Sequence, residues 1–369
     1  MELTLQAMKT LSELMDQALD LDGEERTRWL DDLATGPHAA LQPYLADMLA
    51  RQSNMETAFL LSPVSGPVSS RSVDAASDAF ASGTRVGPYV LEREIGQGGM
   101  GSVWLAARDD GTLTRRVALK LPMLQRSRSL AERFARERDI LAQLTHPNIA
   151  RLYDAGVTDD GQPYLALEYI EGKPITEHCD GINLPVAERL RRFSQVAAAV
   201  QYAHANLVIH RDLKPGNILV SEDGQVHLLD FGIAKLLDDP TAQATESELT
   251  MIAGRALTLD YASPEQVNGQ AISTASDVYS MGVVLYQLLT GQKPYQLKRG
   301  SRAELEEAIV TGEAMPMSDA ARRCDDATAA QHGLSKDRLA RALAGDLDTI
   351  VAKAMKKDPQ QRYATVAAF

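Results

Sequence analysis

The sequence predicts an α+β chain in three parts: a small acidic helical bundle, a β-rich lobe, and a larger helical lobe separated from the second by a cleft. Three observations carry this expectation. Apolar residues recur at helical spacing through residues 1–60. A Ser-, Ala-, Gly- and Pro-rich stretch then sets that segment apart. After it, strand-like patterning gives way beyond Glu171 to long helical patterns.

In residues 1–60, Leu3, Ala7, Leu11, Leu14, Met15, Ala18 and Leu19 form one helical stripe. Trp29, Leu30 and Leu33 suggest a second helix, closed by Gly36 and Pro37, and Leu41, Leu45, Met48 and Leu49 a third. Three such helices can bury one small common core. Residues 61–85, with Phe80 as their only aromatic, have linker composition. Strand patterns follow at Tyr89–Leu91, Val103–Leu105 and Val117–Leu121, a helical pattern at Leu130–Leu144, and further strands at Ile149–Tyr153 and Tyr164–Tyr169. The expected division is a β-rich lobe over 86–167, a connecting segment at 168–173, and a helical lobe over 174–369.

Bulk properties narrow the function classes. A 369-residue chain with 44% hydrophobic and 24% charged residues is an ordinary globular composition. A formal charge of −12 argues against nucleic acid and anionic membrane as partners, because like charges repel. Cys179 and Cys324 are too few for a disulfide framework or a four-ligand zinc site. No apolar run is long enough to cross a bilayer, and the N-terminus, with Glu2, Lys9 and Glu13, lacks a signal-peptide core. The expectation is a cytoplasmic chain without membrane contact within residues 1–369.

The chemistry begins at Gly96-Gln97-Gly98-Gly99-Met100-Gly101-Ser102-Val103. Glycines so spaced let backbone N–H groups approach phosphate oxygens. The same spacing opens dinucleotide-binding folds, but those need a helix after the last glycine, and Ser102-Val103-Trp104-Leu105 reads as a strand. Val117-Ala118-Leu119-Lys120 then places a lysine at the end of an apolar strand. Such a lysine is ordinarily a solvated edge charge; behind a glycine loop it can reach phosphates if a carboxylate holds it. Glu137 is the candidate carboxylate, one helical turn before Leu141, and Glu132 is its rival.

The most specific signal is His210-Arg211-Asp212-Leu213-Lys214-Pro215-Gly216-Asn217 followed by Asp230-Phe231-Gly232. Here residues 86–369 resemble the eukaryotic-like Ser/Thr protein kinases of bacteria. The resemblance implies a two-lobed kinase fold, ATP as phosphoryl donor, Mg²⁺ as cofactor with Mn²⁺ able to substitute, and protein substrates. It implies that Asp212 orients the substrate hydroxyl and takes its proton, that Lys214 stabilises the γ-phosphate, and that Lys120 bridges the α/β-phosphates and Glu137. Asn217 and Asp230 would hold the metal through hard oxygen ligands. Adenine would bond the backbone of Glu168-Tyr169-Ile170 beside Leu167, sandwiched by Val103, Ala118 and Leu219. His210 would pack and hydrogen-bond rather than react.

Ser263-Pro264-Glu265 stands where the family usually has Ala-Pro-Glu, and the resemblance pairs Glu265 with Arg362 and has Asp277 brace the catalytic loop. Arg211 before Asp212 marks kinases whose activation segment is ordered by phosphorylation. Thr250 is the first candidate for autophosphorylation, and Thr258 matches the family's structural threonine. Residues 1–60 carry eleven acidic residues against four basic ones, whereas the approach to Glu137 holds Arg126, Arg128, Arg133, Arg136 and Arg138. Two solvated charged faces are the favoured reading of this contrast, and docking of the acidic segment on the β-rich lobe as a means of control is the alternative. Residues 319–345 read as an insertion that resembles a bacterial branch of the family whose members often continue into a membrane segment, and the chain stops at Phe369, short of the family's last helix. The expectation stays cytoplasmic, with the cytoplasmic part of a longer, membrane-anchored protein as the alternative the resemblance implies. The rival classes are an ATP-binding scaffold without turnover, which would lack Lys120, Asp212 or Asp230, and a small-molecule kinase, which would lack the glycine flap together with Ser263-Pro264-Glu265.

Overall fold

The computed structural model describes residues 80–98, 101–109, 115–122, 142–158, 161–231, 259–295, 297 and 301–369, and four isolated positions, Arg28, Trp29, Leu33 and Gln42, all helical. The chain divides into two compact units, Met1–Ser77 and Asp78–Phe369. The expected helical bundle, its docking, Gly99, Met100, Glu132, Glu137, Thr250 and Thr258 lie outside the described residues.

The second unit begins with an antiparallel sheet of six strands: β1 Arg85–Val86, β2 Tyr89–Gly98, β3 Gly101–Arg108, β4 Arg116–Pro122, β5 Leu152–Val157 and β6 Pro163–Glu168, in spatial order β1-β2-β3-β4-β6-β5. Register decides its two faces. Val103 lies opposite Lys120, Leu105 opposite Ala118, and Ala118 opposite Leu167. Directly opposed residues share a face, so Val103, Ala118, Lys120 and Leu167 form one surface. The alternate positions, Trp104, Ala106, Val117, Leu119, Leu121 and Ala166, join Val86, Tyr89, Leu91 and Tyr164 in the core of this lobe.

The last two expected strands are each displaced along the chain, to Leu152–Val157 and Pro163–Glu168. The Ile149–Tyr153 pattern covers an isolated bridge to Leu228 as well as the start of β5, which periodicity cannot separate. Nor is the chain beyond Glu171 uninterrupted helix. Three short strands, β7 Gly172–Pro174, β8 Ile218–Ser221 and β9 Val226–Leu228, form a second sheet in the order β7-β8-β9. Glu168 closes β6 and Gly172 opens β7, which leaves residues 169–171 as the irregular link between the lobes.

The helical lobe is assembled from α1 Ile175–Gly181, α2 Val186–Ala205, α3 Pro264–Val267, α4 Thr274–Thr290, α5 Arg302–Thr311, α6 Met317–Arg323, α7 Asp326–Ala330, α8 Lys336–Leu343 and α9 Asp346–Ala354. α4 is buried on all sides, as an apolar helix must be when other elements surround it. A Cβ on Gly282 would stand 3.0 Å from side-chain atoms of Ala354 and Met355, so glycine lets α9 pack closely there. The expected insertion is helical: α6, α7 and α8 lie within it or overlap it. It is tied down by Arg189 of α2, a fully buried guanidinium bonded to Asp180 and to the carbonyls of Leu184, Leu288 and Gln331 at 2.7–2.9 Å.

The β-rich lobe is bolted to the helical one just before β5. Asn148 donates to the Val226 carbonyl at 2.8 Å and to Gln195 at 3.2 Å, while Ala150 and Leu228 exchange backbone bonds with β9 and Asn148 respectively.

Candidate active site

The catalytic-loop motif occupies the turn before β8, and its conformation is strained. Arg211 has φ 67° and Asp230 φ 55°, left-handed values that cost a non-glycine residue about 1–2 kcal/mol each. The strain is held by specific bonds. Asp277, on buried α4, accepts from the backbone N–H of His210 at 2.8 Å and of Arg211 at 2.9 Å. His204, at the end of α2, contacts the same carboxylate at 2.7 Å. The Arg211 carbonyl accepts from Gln266 at 2.8 Å.

His210 is wholly buried and joins two of the motifs. Its Nδ1 accepts from the Asp212 N–H at 3.3 Å, so Nε2 carries the hydrogen and donates to the Leu229 carbonyl at 2.8 Å. Its ring packs 4.7 Å from that of Phe231. This is the packing role expected of it. Burial pushes its pKa below the ordinary value despite Asp277, Asp212 and Asp230 nearby, and burial together with Arg189 does the same to His332. The unfolded chain therefore binds more protons at these positions. Their contribution is fully favourable above about pH 6.5 and is lost progressively as pH falls below it. Urea midpoints should accordingly drop on acidification below pH 6.5, and His210→Phe should flatten that slope.

Charges meet along the cleft. Lys120 Nζ lies 2.6 Å from Asp230 Oδ1, a contact from β4 of the upper lobe to the segment after β9. Lys214 Nζ lies 2.9 Å from Asp212 Oδ2. Asn217 Nδ2 donates to the Asp212 carbonyl at 2.8 Å and to its carboxylate at 3.1 Å, while the Asn217 carbonyl accepts from the Leu229 N–H at 2.8 Å. With both its amide bonds directed at Asp212, Asn217 keeps Oδ1 as an acceptor for something else. A carboxylate and an amide oxygen suit a hard divalent cation that retains water and substrate oxygens among its ligands. Asp212, Lys214, Asn217, Asp230 and Lys120 are thus brought together.

Around them stand the other expected residues. Val103, Ala118 and Leu167 line the sheet face that carries Lys120, and Leu219 lies on β8. The Glu168 N–H donates to the Arg151 carbonyl at 2.8 Å; Glu168 ends β6, and Ile170 lies in the link between the lobes. Gly96, Gln97, Gly98 and Gly101 form the ends of the β2–β3 hairpin, Gln97 opposite Ser102 and Gly98 opposite Gly101. Gly101 has φ 125°, and a Cβ there would collide with the Leu121 carbonyl, so only glycine fits. Deeper in the lobe, Arg362 grips Glu265 at 2.7 and 2.8 Å through both carboxylate oxygens. Burial pushes the Glu265 carboxyl up, but bonds to Arg362 and Ser276 outweigh it and hold the group below the usual carboxylate range.

A glycine hairpin above a strand lysine, with an Asp–Lys–Asn cluster and a second aspartate below, is the arrangement of residues found in the protein kinase fold. The chain belongs to the protein kinase domain family, whose profile matches residues 89–369. It is 38% identical over 297 residues to the probable serine/threonine-protein kinase PknB of Bifidobacterium longum, covering 77% of this chain and 39% of that protein. It is 34% identical to serine/threonine-protein kinase PknJ of Mycobacterium tuberculosis, covering 79% of this chain and 45% of that protein. The chain thus spans under half the length of these relatives. The crystal structure of the Mycobacterium tuberculosis PknI kinase domain superposes with TM-score 0.53 at 27% identity, covering 78% of this chain and 95% of that one.

His204 and Gln266 went unmarked by sequence reasoning. Both are ordinary helix residues whose importance lies in what the fold sets against them. A capping-box pattern at Ser263-Pro264-Glu265-Gln266 was the one available hint.

Proposed function

We propose that this chain is an ATP-dependent Ser/Thr protein kinase that transfers a γ-phosphate to protein hydroxyls and phosphorylates its own activation segment in signal transduction. The observation that carries this reading is the convergence of Asp212, Lys214, Asn217, Asp230 and Lys120 in one cleft. A Mg²⁺ ion on Asn217 and Asp230 would neutralise phosphate charge, with Mn²⁺ a substitute. Asp212 takes the proton of the incoming hydroxyl, and its bonds to Lys214 and Asn217 hold its carboxylate in place. Lys214 faces the transferring group; Lys120 moves between Asp230 and the phosphates, with Glu137 as its other partner. The glycine loop Gly96–Gly101, including Gly99 and Met100, covers the phosphates. Adenine lies among Val103, Ala118, Leu167 and Leu219 and bonds the backbone of Glu168 and Ile170.

Thr250 is the proposed autophosphorylation site, with Arg211 receiving its phosphate and Thr258 contacting Asp212. Residues 1–60 dock on the β-rich lobe as a regulatory element. A cytoplasmic site of action is proposed on the same footing; among the described residues no helix is long and apolar enough to cross a membrane.

The test is incubation with labelled ATP and Mg²⁺ followed by phosphosite mapping. Label is expected on Ser and Thr, including Thr250, and chelation of the metal should abolish it. ATP binding without any transfer would favour the scaffold reading, because every motif residue would then be present without turnover. Deleting residues 1–80 should change the rate of transfer; unchanged kinetics would remove the docking proposal.

A further inference from the structure

The carboxamide of Gln266 links two segments that lie far apart in sequence. Its Oε1 accepts from the Ser263 N–H at 2.9 Å and from the Ser263 hydroxyl at 3.2 Å. Its Nε2 donates to the Arg211 carbonyl at 2.8 Å. The partners settle the amide's orientation, since an N–H lies on one side and a carbonyl on the other. The Arg211 carbonyl belongs to the peptide that leads into Asp212. Arg211 is left-handed, its N–H held by Asp277; the peptide after it is held at its carbonyl by Gln266 and, at 3.3 Å, at the Asp212 N–H by His210. Without the shorter Gln266 bond only the long His210 contact holds that peptide, which can then turn and carry Asp212 with it.

Resting on the phosphoryl-transfer reading above, we infer that Gln266 is a positioning residue: it sets the Arg211–Asp212 peptide from the buried Ser263 anchor and so aligns Asp212 with the incoming hydroxyl. Small misalignments of a reacting group lower rate steeply, whereas nucleotide affinity, which depends on other contacts, is spared.

Gln266→Glu separates this role from helix capping. A glutamate still accepts from the Ser263 N–H, because Glu caps as well as Gln, but its carboxylate has no hydrogen to give the Arg211 carbonyl. The expected result is a kcat lowered about ten- to a hundredfold with unchanged KM for ATP and a melting temperature lowered only slightly, by the one lost bond. The ratio of variant to wild-type kcat should rise as pH falls toward the ordinary Glu value of about 4.3, where a growing protonated fraction donates again. Hydrogen–deuterium exchange reads the link without catalysis: peptides over 208–217 should exchange faster in Gln266→Glu, and those of α4 should not. Wild-type kcat in this variant, or a kcat loss fully accounted for by unfolding at the assay temperature, overturns the inference. Should the wild-type chain transfer no phosphate, the kinase reading falls. The exchange measurement then still decides: faster exchange supports the link, and unchanged exchange overturns it.

Discussion

Asp212→Asn should abolish measurable phosphoryl transfer while leaving the fold and ATP binding intact. A positioned general base contributes about a hundred- to ten-thousandfold in rate, and an amide cannot accept the hydroxyl proton. Lys214 and Asn217 both donate to the same oxygen, Oδ2, so an amide oxygen placed there keeps both bonds and the loss reports the missing base rather than a displaced side chain. The fold should be spared, because the bonds that set the loop run through the backbone of residues 210–212 to Asp277, His210 and Gln266, not through the Asp212 side chain. Single-turnover transfer, nucleotide titration and thermal melting separate the three quantities. A variant with residual rate near that of wild type would remove Asp212 from the mechanism.

Arg362→Ala should be the most destabilising single change outside the cleft. Arg362 and Glu265 have side chains 0% and 4% exposed, and Arg362 also bonds the carbonyls of Ala275, Lys356 and Lys357. Truncation strands a buried carboxylate and three carbonyls, and breaking one side of such a pair costs about 3–5 kcal/mol. That is a large share of the about 5–15 kcal/mol by which a domain is stable. Urea unfolding should show the loss as a lower midpoint. The double variant Glu265→Leu with Arg362→Met should lose less than the two single changes summed, because no unpaired charge remains. Additive losses would mean that the pair contributes nothing beyond its separate packing.

Much of the site was readable in advance because its chemistry tolerates few residue types. A glycine that lies against a carbonyl, a carboxylate proposed to take a proton and an amide proposed to offer oxygen to a metal each admit one or two side chains, so they mark the sequence. The two-lobed fold was readable for a related reason: alternation through β3 and β4 follows the burial of Trp104, Ala106, Val117 and Leu119. Short elements escaped. β7, β8 and β9 have three or four residues each, too few for a period to show, and their pairing depends on neighbours distant in sequence. The supports escaped too. His204, Gln266 and Arg189 act through backbone carbonyls or a distant carboxylate, and a backbone acceptor leaves no trace in residue type.

The register of β4 against β3 and β6 gives the upper lobe a built-in proofreading property. Lys120 and Ala118 face the cleft, while Leu119 and Leu121 fill the core, and these assignments alternate along a single strand. A slip of one residue would bury the ammonium in the apolar core and at the same stroke erase the surface proposed to take adenine. On that proposal misregistered copies cannot bind nucleotide, and ATP, by binding only the correct register, would draw the population toward it in proportion to its concentration over its Kd. The ligand acts in this sense as an inspector of the strand on which it depends.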